Sequence, residues 1–222
     1  MSNFRRPKNL TTRRMQETRP NPPKEQAKTQ RPAREIRWNC PVAAKCGGCQ
    51  LTRLSYAEQL QWKQQRVAEL LDGICEVRPI LGMDDPFHYR NKVHAVLSVD
   101  KAGKPISGVY AMGTHRVVPV RHCLIEDRRA DRIIQTIVAM LPAYKLRIYN
   151  EYTHRGFLRH ILIRTGHVTG QIMVVLVATS LEFPGKKAFV QELIQRHPEI
   201  TTVVLNCNQR ETSMVLGLSL IH

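Results

Sequence analysis

The sequence contains no apolar run long enough to cross a membrane and no apolar stretch near its start of the kind that a secretory signal requires. Its longest apolar segment, Ile172–Ala178, is much shorter than the roughly 20 residues that span a bilayer. The first residues are basic instead. We therefore expect a cytoplasmic protein with no membrane partner. Because disulfides are scarce in the cytosol, we also expect no disulfide-linked partner.

Acidic residues are few: 18 Asp and Glu stand against 34 Lys and Arg, which gives a formal net charge of +16. Such an excess favours a polyanionic partner, and nucleic acid is the commonest one in the cytosol. With 222 residues, 42% of them hydrophobic, the chain can bury the core of one domain or somewhat more.

Apolar residues are nearly missing from residues 1–39, which hold eleven Lys and Arg, three Asp and Glu, and five Pro. A segment of this composition cannot offset the entropy lost on ordering. We predict a disordered basic arm over residues 1–39 that coats phosphates. The alternative is a solubilising tail that contacts nothing.

The sequence has six cysteines, and three of them lie in one short loop, with Cys40, Cys46 and Cys49 in a C-x5-C-x2-C pattern. A Cys-x-x-Cys pair sets two sulfurs one tight turn apart, and the two glycines between them let the backbone bend around a bulky centre. In a cytosolic protein this pattern predicts a metal or iron-sulfur site. Most four-iron clusters and structural zinc sites need a fourth ligand.

The remaining cysteines, Cys75, Cys123 and Cys207, are the candidates for that ligand. Cys123 is favoured because it lies between a polar and an apolar segment just before a predicted helix, where a thiolate can point out of a loop. Cys75 and Cys207 lie in apolar stretches, and cysteines in such places usually behave as small core residues.

The periodicity of the sequence predicts an α+β fold. Ser55 and Glu58 form a capping-box pattern at the start of a helix that runs to Leu71. The apolar stripe of this helix consists of Leu60, Val67, Leu70 and Leu71. Strands are expected over 93–99, 106–110, 116–120, 158–164, 171–179 and 200–207, with further helices over 130–141 and 186–196.

Two clusters near predicted strands, Phe87–Lys92 and Thr153–His160, mix cations, amides and aromatic rings. Arg and Lys bind phosphates, Asn can read a base edge, and aromatic rings stack on unpaired bases. An ordinary strand with a charged outer face is the alternative for each cluster. The candidate RNA-binding residues are Arg90, Asn91, Lys92, Arg155, Arg159 and His160.

These motifs together resemble bacterial uracil-5-methyltransferases of 23S ribosomal RNA. The resemblance runs from about residue 38 to about residue 217 and rests on four features of the sequence. They are the C-x5-C-G-G-C loop with the distant Cys123, the Gln50-Leu51 continuation into the first helix, the Tyr89–Lys92 segment, and the Arg155-Gly156-x-Leu158-Arg159-His160 segment.

The resemblance implies that Cys40, Cys46, Cys49 and Cys123 hold a 4Fe–4S cluster and that the partner is ribosomal RNA. The family transfers a methyl group from S-adenosylmethionine to C5 of a uracil. A cysteine thiolate attacks C6 of the base, and a base later removes the C5 proton. In the family, these catalytic parts lie in a C-terminal Rossmann-like domain.

No strand with a glycine-rich, acid-ended cofactor loop is found in this sequence, and no residue is assigned as catalytic or as binding S-adenosylmethionine. We therefore expect the iron-sulfur and RNA-recognition part of such an enzyme, inactive alone, as a truncated product or a partial sequence. The predicted division is a basic arm (1–39), an iron-sulfur loop and helix (40–78), a central α+β RNA-recognition domain to which Cys123 belongs (79–217), and a truncated end (218–222).

Two other interpretations stay open at this point. A zinc-stabilised RNA-binding module without enzymatic activity would share the thiolates, the basic arm and the strand clusters. A tRNA uracil-5-methyltransferase fragment would share everything except the RNA substrate, and no residue in the sequence identifies the target base.

Overall fold

The computed structural model describes residues 37–211, 214–217 and 219–221, with the side chains of 219–221 left aside. Most of the predicted basic arm, residues 1–36, lies outside the described residues, as do residues 218 and 222 of the predicted truncated end. The described part contains three helices and seven strands. They are α1 (Tyr56–Leu70), β1 (Lys92–Val99), β2 (Pro105–Tyr110), β3 (Val117–Pro119), α2 (Arg128–Met140), β4 (Leu158–Thr165), β5 (Ile172–Ala178), α3 (Lys186–Arg196), β6 (Ile200–Cys207) and β7 (Ser219–Ile221).

The strands form one mixed sheet in the order β3-β2-β1-β4-β5-β6-β7. Neighbouring strands are antiparallel except for β5 and β6, which are parallel and are connected through α3. The first hairpin turns at residues 100–104, where the side chain of Asp100 accepts hydrogen bonds from the backbone of Ala102 and Lys104. The described chain is therefore a mixed α/β domain, in agreement with the predicted α+β pattern.

One side of the sheet, here called the helix face, carries the main core. Alternating residues of β1, among them Val93 and Leu97, point to this side together with buried residues of β4 and β5. Helix α2 contributes Ile133 and Ile137, and α3 contributes Phe189, all fully buried. At 25 cal/mol per Å² of buried apolar surface, such side chains are each worth about 2 kcal/mol, so this layer is the main stabilising contact of the fold.

The opposite side, here called the second face, carries a smaller apolar cluster of Leu162, Val175, Val177 and Val204, against which Met173 and Val215 pack. Among the described residues, no helical side chain belongs to this cluster. Segment 214–217 is held on this side by the buried amides of Asn206 and Asn208, which bond to its backbone. The alternation of β1 and β4 also places polar side chains here, namely Lys92, His94, His160 and Arg164.

The predicted helices and strands are confirmed, with ends that differ by at most two residues. Helix α1 begins with the capping box expected at Ser55 and Glu58 and ends at Leu70, one residue early. Strand β7 was not predicted. Among the described residues, every helix is too short or too polar to span a bilayer.

One burial prediction, that of Cys75, is wrong, and the apolar stripe of α1 lies largely outside the core. In this stripe Leu70 is 60% exposed and Val67 43% exposed. Cys75, expected in the core, is exposed as well, because the segment after α1 runs along the surface. Cys207 lies in β6 as expected and is half-buried.

Candidate functional site

The cysteine loop is built from tight turns that dock on the end of β2. The backbone N–H of Cys46 donates to the carbonyl of Val42, and Cys46 forms an isolated β-bridge with Ala111. A Cβ at Gly47 would lie 3.2 Å from the Cβ of Met112, so a side chain there would crowd the loop against this strand end. The glycine therefore permits the close approach.

The three loop thiols are half-buried and free of disulfides. Burial raises the pKa of the Cys49 thiol, and the positive charge of Arg90 partly offsets this rise. The thiols of Cys46 and Cys40 act on Cys49 in the same direction as burial, so both lie within electrostatic range of it. The backbone N–H of Gly48 lies 3.4 Å from the Sγ of Cys46, as donors often do beside thiolate ligands.

Cys123 lies in the loop that precedes α2. Burial and then the nearby Glu126 carboxyl raise the pKa of its thiol to about 11, while backbone N–H groups of Ile125 and Glu126 lower it by donating to the sulfur. Its own N–H donates to Asp131 of α2 at 2.8 Å. Because Glu126 also acts on Cys49, the two thiols lie near the same buried carboxyl.

The chemistry of these groups is that of a thiolate-bound metal centre. The loop thiols interact electrostatically, backbone N–H groups point at sulfur, and the cation Arg90 is close by. Within the described ranges, however, no three His, Cys, Asp or Glu side chains converge closely enough to hold a metal ion. Binding would therefore need the ligand side chains to move closer together. The ligand set Cys40, Cys46, Cys49 and Cys123 therefore stays a prediction.

Arg90 belongs to a segment that runs beside the Cys123 loop. Its N–H donates to the carbonyl of Ile125 at 2.8 Å, and its carbonyl accepts from Asp127 at 3.1 Å. Burial and the nearby Asp131 raise the pKa of Glu126 to about 7, although the positive charge of the half-buried Arg90 side chain opposes this rise. Arg90 therefore lies near Cys49 and Glu126, whereas Asn91 and Lys92 are exposed.

The second predicted RNA cluster is divided between surface and interior. Arg155 is exposed, but Arg159 and His160 are only 5% and 6% exposed. The Arg159 guanidinium donates to the carbonyls of Asn208 and Arg210 at 3.0 and 2.7 Å. Little of the surface of Arg159 and His160 is accessible to RNA, and their role as RNA contacts stays a prediction.

A polar cleft on the second face was not predicted. It is here called the histidine cleft, and its lining includes His94, Tyr110, Tyr149, Glu151 and His160. Strand alternation in β1 and β4 does place His94 and His160 on a common side, which was the available signal. The strand register, with Val96 opposite His160, brings their rings to 4.9 Å. Loop residues Tyr149 and Glu151 carry no such signal.

Comparison with known proteins finds no matching family profile. The chain is 40% identical over 182 residues to an uncharacterized RNA methyltransferase of Clostridium tetani, covering 80% of this chain and 39% of that protein. It is 37% identical over 183 residues to an uncharacterized RNA methyltransferase of Bacillus cereus, covering 80% of this chain and 40% of that protein. It thus spans about two fifths of the length of these relatives and is homologous to their N-terminal part.

Among solved structures, the chain is similar to the Pyrococcus abyssi tRNA (uracil-54, C5)-methyltransferase in complex with S-adenosyl-L-homocysteine. The TM-score is 0.57, the sequence identity is 22%, and the alignment covers 80% of this chain and 40% of that one. At this identity the likeness concerns the fold alone.

Proposed function

We propose that the chain is the RNA-recognition part of an S-adenosylmethionine-dependent uracil-5-methyltransferase that acts on ribosomal RNA, with a 4Fe–4S cluster on Cys40, Cys46, Cys49 and Cys123. The observation that carries the proposal is the identity of 40% over 182 residues to an RNA methyltransferase. That match covers 80% of this chain, so it concerns the described domain and more than a short motif.

The cysteine site supports the iron-sulfur part of the proposal through its donors. Cys49 lies within electrostatic range of two further loop thiols and of Glu126, which also neighbours Cys123. When bound, a cluster would supply a structural crosslink between the loop and the segment before α2, because transfer of a methyl cation needs no electrons. The loop residues would then hold Arg90 in place beside the exposed residues Asn91 and Lys92.

The RNA part of the proposal rests on the exposed cations. Lys92 lies at the start of β1 opposite Arg164 of β4, and both side chains point to the second face. Arg155 is exposed in the turn before β4. These three side chains are free to bind phosphates, whereas Arg159 fixes the backbone of residues 208–210.

We place the S-adenosylmethionine site and the catalytic cysteine in the part of the relatives that this chain does not span. These 222 residues are therefore expected to bind RNA without methylating it. Incorporation of labelled methyl groups from S-adenosylmethionine into 23S rRNA by the purified chain would contradict this assignment.

Metal analysis after anaerobic purification tests the cluster. We expect about four irons with matching sulfide per chain, lost in Cys123→Ser. The matched control is Cys75→Ser, which changes an exposed cysteine outside the loop and should keep the iron. One zinc per chain with no iron would instead identify a zinc-stabilised binding module.

Fluorescence anisotropy with labelled rRNA fragments tests the RNA part separately. We expect binding that weakens with salt, and weaker binding for Arg155→Ala. If the chain bound no RNA while it carried its cluster, the RNA-recognition role would be wrong and the metal assignment would stand. Tighter binding to tRNA than to rRNA would move the substrate to tRNA.

A further inference from the structure

The histidine cleft is an open cavity of about 610 Å³ on the second face of the sheet, and no cysteine lines it. Its volume lies within the range of roughly 300–1,000 Å³ that is usual for small-ligand sites. It is formed where β1, β2 and β4 meet the loop of residues 149–154. The proposed methyl-transfer chemistry makes no use of its polar groups.

A fixed hydrogen-bond acceptor lies in the wall of the cleft. The hydroxyl of Tyr110 donates to Oε1 of Glu151 at 2.6 Å, and Nδ1 of His115 lies 3.0 Å from Oε2. Burial alone would raise the pKa of Glu151, but the two hydrogen bonds together with nearby histidine charges outweigh burial and lower it. The carboxylate is therefore charged at neutral pH, and each oxygen keeps a lone pair for a ligand.

Buried polar atoms beneath the cleft lack partners. Nε2 of His94 and Nδ1 of His160 are buried and have no hydrogen-bond partner among the described residues, and neither has Nε of Arg159. His160 is only 6% exposed and Arg159 only 5%. A buried polar atom without a partner costs roughly 1–3 kcal/mol, so three of them at one cleft call for a ligand or ordered water.

The cleft also offers flat surfaces. The Arg159 guanidinium lies over the ring of Tyr149, with its Cζ 4.5 Å from the ring centroid. Tyr152 stands at the rim with its side chain 87% exposed. Aromatic rings and guanidinium planes are the groups on which proteins stack unpaired bases.

The same face supplies cations for the backbone of a nucleic acid. Lys92 pairs in register with Arg164 two residues along β1 from His94, and both cations are exposed. Burial lowers the pKa of His94, and the positive charge of Lys92 lowers it further. An RNA strand whose phosphates contact these two cations can therefore place a base in the cleft.

We propose that the histidine cleft binds one unpaired nucleobase of the RNA, held by stacking against its tyrosines and by hydrogen bonds from its N–H groups to Glu151. Guanine fits best, because its adjacent N1–H and N2–H groups can meet both carboxylate oxygens. The rings of His94 and His160 form the floor beneath the base. This inference rests on the proposed RNA-binding function and adds the site and the chemical group that it recognises.

The test uses the full chain and a short labelled oligonucleotide of abasic ribose phosphates that carries a single guanine, compared with the same oligonucleotide without a base. Their phosphates are identical, so any difference in affinity reports the base alone. We expect the base to tighten binding about tenfold, the scale of one stacked base. Adenine, cytosine and uracil in the same position should give smaller gains.

The variants separate base recognition from phosphate binding. Glu151→Gln and Tyr152→Ala should each remove most of the gain from guanine while leaving the affinity for the abasic chain unchanged. Tyr152 is fully at the surface, so its loss does not threaten folding. Lys92→Ala should weaken the binding of both oligonucleotides equally. The control Leu81→Ala changes a residue that is 91% exposed and should change neither affinity.

Equal affinity of the wild-type chain for the two oligonucleotides would overturn the base pocket while leaving RNA binding intact, with ordered water as the partner of the buried nitrogens. Absence of binding to either oligonucleotide and to rRNA would overturn the RNA-binding function itself. A gain from guanine that survives both Glu151→Gln and Tyr152→Ala would place the base elsewhere on the chain.

Discussion

At the scale of single residues, buried amides and cations of the second face fix the main chain. Asn208 is 1% exposed; its Nδ2 donates to the carbonyls of Met214 and Val215 at 2.6 and 3.0 Å, and its Oδ1 accepts from Arg210. These bonds hold residues 214–217 over the small apolar cluster. A side chain that lacks the amide cannot replace them.

Asn208→Ala should therefore lower the free energy of unfolding by about 1–3 kcal/mol, because the backbone carbonyls of Met214 and Val215 lose the donor that holds them. Urea-induced unfolding followed by circular dichroism measures the change. The control is Gln209→Ala, which truncates the exposed neighbouring side chain and should stay within about 0.5 kcal/mol of wild type. Equal stability of the two variants would show that the amide bonds contribute nothing.

His160 makes the stability of the fold depend on pH. Burial lowers its pKa to about 3, the charges of His94 and Arg159 act in the same direction, and Glu151 opposes them. An unfolded histidine titrates near about 6.5, so between these values only the unfolded chain binds the proton. The contribution of a neutral His160 is thus present near pH 7 and is lost progressively as the pH falls toward 3.

We expect His160→Gln to lose less stability than wild type on acidification, by on the order of 1 kcal/mol per pH unit below about pH 6. Unfolding in urea at a series of pH values gives this difference directly. His167→Gln, which removes an exposed histidine, controls for loss of a surface imidazole. Parallel pH profiles for wild type and His160→Gln would mean that His160 is not buried as a neutral ring.

At the scale of elements, the edge of the sheet depends on one glycine. Gly108 of β2 lies opposite Pro119 of β3, and a Cβ at Gly108 would lie only 1.9 Å from the carbonyl oxygen of Val118. The carbonyl of Val118 is part of the backbone of β3, and β3 cannot move away from this contact without breaking its pairing with β2. The strand pair therefore tolerates only glycine at this position.

Gly108→Ala should destabilise the domain by roughly 1–3 kcal/mol or more, since β3 must shift away from β2. Thermal unfolding measures the loss. Thr202→Ala, at an exposed strand position in β6, is the matched control and should change stability little. A melting temperature unchanged by Gly108→Ala would show that β3 does not pair with β2 in this register.

Helix α1 illustrates how local and long-range information differ within one element. Its start was predictable, because Ser55 and Glu58 satisfy each other's backbone groups within one turn. The burial of its stripe was not predictable, because an apolar face is buried only where another element covers it. In the described part of the chain, Leu70 is largely exposed and Val67 is nearly half-exposed.

At the scale of the whole molecule, the excess of positive charge makes RNA affinity depend on salt. For single-stranded RNA, the logarithm of the affinity falls with the logarithm of salt concentration by roughly 0.7 per phosphate contacted. Lys92→Ala and Arg164→Ala should each reduce this slope by about that amount, because both cations lie on the second face. The slope is obtained from anisotropy titrations over a range of salt concentrations.

Lys187→Ala removes an exposed cation from α3, a helix that packs on the helix face, and should leave the slope unchanged. If all three variants lowered the slope equally, RNA would bind through diffuse charge rather than through the second face. If none did, the phosphate contacts would lie elsewhere in the chain.

The sequence by itself determined the helices and strands of this protein except β7, since capping residues, strand alternation and helical spacing act over a few neighbouring residues. The same is true of the clustering of Cys40, Cys46 and Cys49, which lie within ten residues. The tertiary structure alone decided which side chains meet across strands and loops. The register of β1 and β4 places the rings of His94 and His160 side by side, and the packing of the 149–154 loop places Glu151 against Tyr110. The segment after β6 packs over Arg159 and accepts its hydrogen bonds. Contacts of this kind depend on pairing between distant segments, which no local pattern specifies.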